Sequence, residues 1–359
     1  MTHCNAADKP VLITGGAGFI GTNLAHRLLS EGKRVLILDN LAREGVQHNL
    51  EWLRRRHGEA LQIHIADITD GPALETAVTS AGRIYHFAAQ VAVTTSLTSP
   101  AEDFDVNLKG TFMLLEQIRK MKHPPGLVFT STNKVYGNLE DIPLHKNGGH
   151  YEPIQQDLAT RGIDENRPLE FVSPYGCSKG AADQYVLDYA RTFGLPAVVY
   201  RMSCIYGPHQ FGTEDQGWVA HFMIRALEHQ PITVYGSGFQ VRDVLFVEDL
   251  VDALLLAQDK MAAIAGRAFN IGGGPGNRIS ILEMIRLISD TCRCNPRLLF
   301  SDWRKGDQKY YVSDIAQFST STGWSPKVDI SQGIHRLNEW LMQERRKEAY
   351  TIASSEVSA

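Results

Sequence analysis

Short, nearly continuous apolar runs alternate with longer amphipathic stretches from the start of the chain to about residue 205. Residues 10–14 predict a strand, 23–30 a helix and 34–39 a second strand. The runs at 61–66, 83–88, 127–130 and 197–201 continue the series. Strands apolar on both faces and separated by helices pack as a parallel sheet covered on both sides. Right-handed crossovers make such a sheet doubly wound. After residue 205 the rhythm breaks: Gly207-Pro208-His209-Gln210 is loop-like, and the helical pattern at 218–229 is set among loops. A smaller, mostly C-terminal lobe is expected there. The strand-like run Val244-Leu245-Phe246-Val247 suggests that about 240–272 return to the first lobe. The expected division is 1–205 with about 240–272, against about 206–239 with 273–345, and the tail 346–359 is expected to be unstructured. No internal repeat or low-complexity linker interrupts the chain.

Composition narrows the classes. With 359 residues, 43% of them hydrophobic and 21% charged, the chain can bury a large core without disulfide or metal staples. The net charge of −4 and the absence of any basic run longer than Arg54-Arg55-Arg56, which reads as a solvated helix face, exclude nucleic acid as a partner. Five scattered cysteines indicate reduced thiols and a cytoplasmic location. Cys292 and Cys294 form a lone C-x-C, and the 13 histidines show no ligand spacing, so no metal is assigned. Met1 to Lys9 is polar, without a signal-peptide pattern, and no apolar run approaches the roughly 18 residues of a membrane span.

"VLITGGAGFIG" sets Gly15, Gly18 and Gly21 directly after the first strand and at the mouth of a helix. Glycines let backbone approach a pyrophosphate closely, and the helix N-terminus offers free N–H groups to the anion. The fold class is therefore α/β, a doubly wound parallel Rossmann sheet with a smaller, mostly C-terminal substrate lobe. The second strand ends in Asp39, 18 residues after Gly21, where a carboxylate holds the adenosine ribose hydroxyls and repels a 2′-phosphate. NAD is thereby favoured over NADP, although the nearby Arg43 is a group that could receive such a phosphate. Asp67, ending the third strand, reads equally as an adenine-edge contact or as a turn aspartate.

"SPYGCSKGAADQYVLDYA" supplies Tyr175 and Lys179, an i, i+4 pair that a helix places on one face. A free phenol has a pKa near 10, and a neighbouring ammonium favours its phenolate. The pair suits removal of a sugar hydroxyl proton while a nicotinamide takes the hydride. The stretch "FTSTNKVYG" turns polar where the strand begun at Leu127 reaches the carboxyl edge of the sheet, which is where ligands bind in this architecture. Thr132 is thereby placed to share the sugar oxygen that faces Tyr175.

Taken together, G-x-x-G-x-x-G, "HFAAQ", Asn107, T-S-T, Y-x-x-x-K and "RDVLFVEDL" resemble the extended short-chain dehydrogenase/reductase superfamily of nucleotide-sugar enzymes, over nearly the whole chain to about residue 340. The resemblance implies that Thr132, Tyr175 and Lys179 are catalytic. It places Phe19, Ile20, Asn40, Ile68, Ala88, Ala89, Gln90, Asn107, Thr130 and Ser203 along NAD with the residues already named. It also gives Arg242 and Arg304 to the diphosphate of the substrate, where bidentate arginine contacts suit phosphate, and counts Asp307 among the substrate-binding residues. Sugar 4,6-dehydratases carry an Asp-Glu pair after the hydroxyl residue, and this chain has Asn133-Lys134 instead. "STNKVYG", "HFAAQVAVTTS", "GIDEN" and "DQGWV" are similar to the CDP-tyvelose (CDP-paratose) 2-epimerases. Asn133 and Lys134 then either meet substrate or simply hydrogen-bond the turn and a surface carboxylate. Gln216, Gly217 and Trp218 are expected beside the nucleotide, with core packing as the alternative for Trp218.

The implied activity is epimerisation through a transient keto sugar with resident NAD, at C2 of a CDP-deoxyhexose. The alternatives are 4-epimerisation of a UDP-sugar and a non-catalytic NAD-binding regulator. A homodimer is expected through the superfamily's usual pairing face, at 103–119 and 181–191.

Overall fold

The computed structural model describes residues 9–304 and 306–357, with side chains described as far as Lys347. The polar N-terminal stretch before Lys9, with Cys4, lies outside the described residues. Seven strands form the central sheet: β1 (Val11–Thr14), β2 (Val35–Asp39), β3 (Leu61–Ile65), β4 (Arg83–His86), β5 (Gly126–Thr132), β8 (Ala197–Met202) and β12 (Ala268–Ile271). Their order is β12-β8-β5-β4-β1-β2-β3, and every neighbouring pair is parallel. The chain winds outward in both directions from β1, so the carboxyl ends of β1 and β4 flank the switch point at which ligands bind.

Burial explains the apolar runs. Leu12, Ile13, Leu36, Ile37, Leu127 and Val128 are almost completely inaccessible, because helices cover both faces. One face carries α1 (Phe19–Ser30), α2 (Val46–His57), α10 (Val247–Asp259), α11 (Met261–Ile264) and α13 (Ala316–Thr322). The other carries α3 (Gly71–Ser80), α6 (Gly110–Arg119) and α8 (Pro174–Phe193), with the short α4 (Val93–Thr98) and α5 (Pro100–Phe104) beside them. Between β5 and α8 the chain makes the hairpin β6 (Leu144–Asn147) and β7 (His150–Pro153), then α7 (Gln156–Arg161).

A second core joins α9 (Trp218–Leu227), α12 (Ile281–Cys292) and α14 (Ile330–Val357) to strands outside the main sheet. β10 (Ile232–Tyr235) pairs with β14 (Leu298–Ser301). β11 (Val241–Phe246) pairs with β9 (Cys204–Tyr206), β13 (Arg278–Ser280) and β15 (Tyr310–Tyr311). The return expected over about 240–272 thus divides. α10 and β12 join the large sheet, whereas β11 does not. All six β11 positions are buried, and an apolar strand does not announce which sheet will bury it. α14 continues to Val357, through most of the segment expected to be unstructured, because Glu344-Arg345-Arg346-Lys347 are good helix formers. Residues 358–359 lie outside the described residues.

Candidate active site

The glycine loop follows β1 and opens α1. Gly15 has φ +68°, and a Cβ there would lie 2.6 Å from Ala88 N. A Cβ on Gly21 would meet Gly15 O at 2.5 Å, so both positions require glycine to keep loop, helix and the β4 edge together. Gly18 begins α1 without a side-chain cap, leaving N–H groups of its first turn free for an anion. Phe19 and Ile20 form that first turn. Asp39, at the end of β2, accepts from Ala17 N and Leu41 N, each at 2.9 Å. Burial pushes its carboxyl upward while these two bonds pull it down.

The other expected cofactor residues gather along the same sheet edge. Asn40 donates to Asp67 Oδ2 at 2.7 Å, and Asp67 also takes Thr69 N and Thr69 Oγ1 at 2.9 and 2.7 Å. Asp67 is thus engaged as a turn residue, which favours the second of its two readings. Ile68 is buried where Gly110 leaves room for it. Ala88, Ala89 and Gln90 follow β4, and Gln90 O accepts from Asn107 Nδ2 at 3.0 Å. Ser203 donates to Asp243 O at 2.9 Å just beyond β8. Arg43 stands apart. Its guanidinium donates to Gln216 Oε1 of the smaller lobe, so it is committed across the cleft and is not held open for a 2′-phosphate. The glycine cradle and the Asp39 carboxylate fit a dinucleotide with free ribose hydroxyls.

Thr132 terminates β5, and its Oγ1 accepts from Lys134 N at 3.2 Å, which starts the tight turn Asn133–Val135. Ser173 caps α8 by accepting from Gly176 N at 3.0 Å, and Pro174 occupies the first turn. That start places Tyr175 and Lys179 on one helix face, and the Tyr175 phenol hydrogen-bonds to Thr132. All three are at least nine-tenths buried. The expected electrostatics are not what the geometry yields. Burial pushes Tyr175 up to about 12, opposed by the Thr132 hydrogen bond. Burial also pushes Lys179 down to about 7, against the pull of Asp183 and Asp103. Lys179 Nζ donates to Thr130 O at 2.7 Å and lies 4.3 Å from the Phe129 ring centroid, rather than bonding the phenol. Each buried group is driven toward its neutral form.

From Thr132 and Tyr175 a cleft opens between the lobes. It gathers Asn133, Lys134, Gln216, Gly217, Trp218, Arg242, Arg304 and Asp307, all of them expected from sequence. Lys134 reaches Gly306 O at 3.3 Å and Asp307 at 3.7 Å, while Arg242 holds the same Asp307 carboxylate at 2.6 Å. Two cations thus share one carboxylate, and their N–H groups are donors of the kind that suit a diphosphate. Arg304 donates to Glu214 O at 2.9 Å, sits 3.6 Å from Asp215 and stacks 3.9 Å from the Tyr235 ring centroid. Trp218 donates to Cys204 Sγ at 3.3 Å and lines the wall. Asn133 is buried and donates to Gln308 Oε1 at 3.4 Å, which favours its structural reading. Sequence reasoning missed Tyr235 and Glu214, which no motif marks, and left Asp215 and His221, in and just after the quoted DQGWV stretch, unassigned. It quoted but did not assign Val91, Val93 and Thr94, which wall the cleft near Tyr175.

A dinucleotide cradle, a buried tyrosine–lysine–threonine group and a cleft carrying two arginines and a lysine fit a nicotinamide-dependent enzyme of phosphorylated or nucleotide-linked sugars. The comparisons agree. Residues 11–272 match the NAD dependent epimerase/dehydratase family, and the chain belongs to that family. It is an NAD-dependent nucleotide-sugar epimerase. It is 42% identical to CDP-paratose 2-epimerase of Salmonella typhi over 337 residues, covering 92% of this chain and 98% of that protein. UDP-glucose 4-epimerase of Thermotoga maritima, solved with UDP-glucose, superposes with a TM-score of 0.79 at 27% identity, covering 93% of this chain and 99% of that one. UDP-glucose 4-epimerase of Thermus thermophilus, solved with NAD, gives 0.76 at 30% identity, covering 92% and 98%. Among the described residues no helix is long and apolar enough to cross a membrane, and no cluster of three metal-ligating side chains occurs.

Proposed function

We propose that the chain inverts C2 of a CDP-linked deoxyhexose, with Thr132, Tyr175 and Lys179 as its catalytic residues. The observation that carries this reading is the cleft itself. It brings Thr132 and Tyr175 to one end of a pocket in which Lys134, Arg242 and Arg304 supply cations. The choice of C2 and of cytidine rests on the 42% identity with the Salmonella typhi enzyme. Bound NAD supplies a reversible hydride acceptor and a positive charge that favours the phenolate. Tyr175 takes the proton of the sugar hydroxyl, and Thr132 holds that oxygen in line. Lys134, Arg242 and Arg304 keep the diphosphate anchored while the planar keto sugar presents its other face. Tyr175 then returns the proton. Net redox change is zero, so NAD remains resident.

The same reading assigns the Rossmann lobe to NAD and the β10–β14 and α9–α12 region to the nucleotide sugar. Cys177, Cys204, Cys292 and Cys294 are all free thiols, in keeping with a reducing cytoplasm. The UDP-sugar 4-epimerase alternative keeps a specific support in the two structural relatives. Borodeuteride trapping during turnover separates the two. Deuterium at C2 of the recovered sugar is expected. Label confined to C4 transfers the assignment to the alternative. Solvent deuterium entering the sugar without any trapped keto form would overturn the oxidation mechanism.

A further inference from the structure

Asn49, on α2, is only 2% exposed, and its carboxamide joins two segments far apart in sequence. Its Nδ2 donates to Ala17 O in the glycine loop at 3.2 Å and to His209 O at 3.1 Å. With both N–H groups so directed, Oδ1 faces the imidazole and accepts from His209 Nδ1 at 3.1 Å. Asn23, on α1, repeats the arrangement one residue earlier along the second segment. Its Nδ2 donates to Phe19 O and to Pro208 O, each at 2.9 Å. Two carboxamides thus fasten the carbonyls of 208 and 209 to those of 17 and 19. An amide nitrogen suits this, because its two N–H donors serve two carbonyls at once.

The fastened turn is a strained one. His209 has φ +66°, the left-handed region that a non-glycine residue keeps only where its surroundings hold it. Asn49 holds both its carbonyl and its ring, whose centroid lies 4.3 Å from that of Trp52 on α2 and 5.3 Å from that of Trp340 on α14. From His209 the chain runs compactly to the cleft. Gln210 Nε2 donates to Ile205 O at 3.2 Å, and a Cβ on Gly217 would lie 3.0 Å from that same nitrogen. A Cβ on Gly212 would meet Gly217 O at 2.6 Å, and Thr213 and Gln216 exchange backbone bonds of 2.9 and 3.2 Å. Little slack therefore separates residue 209 from Gln216, Gly217 and Trp218, which line the cleft. At the other end of the staple, Ala17 is itself fixed, since its N–H donates to Asp39 at 2.9 Å.

We propose that Asn49 and His209 are positioning residues for the substrate cleft: the Asn49 carboxamide keeps residue 209 left-handed and seated on the cofactor loop, and the wall formed by Gln216, Gly217 and Trp218 takes its place from that turn. This rests on the reading of the cleft as a nucleotide-sugar site, and the test separates the two claims. Amide hydrogen exchange and calorimetric titration are carried out on protein carrying its own NAD, with CDP and UDP as probes. In Asn49→Ala the amides of 212–218 exchange about tenfold faster while those of α8 do not change. Kd for the nucleotide rises by about tenfold with them, and kcat at saturating substrate stays at the wild-type value. His209→Gly takes the left-handed turn freely and keeps the carbonyl that Asn49 holds, so its Kd stays within about threefold of wild type. The β-branched His209→Val, for which that turn is an outlier, behaves like Asn49→Ala. Unchanged exchange at 212–218 or an unchanged Kd in Asn49→Ala overturns the proposal. So does a His209→Gly as damaging as His209→Val, because ring packing and not backbone conformation would then be what counts. Should Asn49→Ala fail to fold, the two His209 variants decide in the same way. A wild-type protein that binds UDP but not CDP moves the functional reading to its alternative, and UDP then reports on this one. Binding of neither removes that reading, and exchange at 212–218 still decides whether Asn49 seats the segment.

Discussion

One oxygen atom separates Tyr175 from phenylalanine, and the proposed chemistry passes through it. The ring packs in a site only 8% exposed, so Tyr175→Phe leaves the core filled. Loss of a positioned general base costs about 10²- to 10⁴-fold in kcat. Turnover of a CDP-sugar should therefore fall by that factor, while the nicotinamide nucleotide released on denaturation stays at the wild-type amount. Activity within tenfold of wild type would remove Tyr175 from the mechanism. The same residue shows why a motif is not yet an environment. Y-x-x-x-K suggested an ammonium acting on the phenol, whereas in the fold Lys179 bonds Thr130 O and burial dominates both groups.

At the scale of elements, the loop between Phe211 and Trp218 is gripped from both sides. Arg43, on the loop after β2, holds Gln216, and Phe211 packs where Gly45 lacks a side chain. Arg304, in the loop after β14, holds Glu214 and Asp215. This segment lines the cleft through Gln216 and Gly217, so its placement bears on substrate affinity. Arg43→Ala removes one grip without touching Tyr175. Since an exposed charge-assisted contact is worth about 0.5–1.5 kcal/mol, KM for the nucleotide sugar should rise roughly two- to tenfold with kcat little changed. Steady-state kinetics check this, and a large fall in kcat at constant KM would show that the contact serves something else.

At the scale of the whole molecule, the helical side formed by α5, α6 and α8 remains apolar on the outside. Phe104, Phe112, Tyr185 and Phe193 are 52, 40, 43 and 48% exposed. Phe112 packs edge-on against Tyr185 at 5.8 Å, so two of these exposed rings form one patch. We propose that a second copy covers this face as a two-fold homodimer. Light scattering at micromolar concentration should report twice the 39.9 kDa chain mass. Tyr185→Glu should shift it to the monomer, and a monomeric wild-type protein would end the proposal.

Periodicity and local motif carried much of this into view before any coordinates. The alternation of buried runs and helices specified the parallel sheet. Gly15, Gly18 and Gly21 declared the dinucleotide edge, and Thr132, Tyr175 and Lys179, which the fold buries together, were marked by motif as the proposed reacting end. Each of these signals lies within a short window, where backbone geometry and side-chain spacing are locally determined. What remained hidden joins distant segments. Arg43 meets Gln216 across 173 residues, and Ser178 meets Asp103 across 75. β11 is buried at every position, like a central strand, yet pairs outside the central sheet. Apolar sequence requires burial but does not name the surface that provides it. A polar side chain likewise does not name its partner until the lobes have packed and excluded water, and that is decided by the tertiary structure alone.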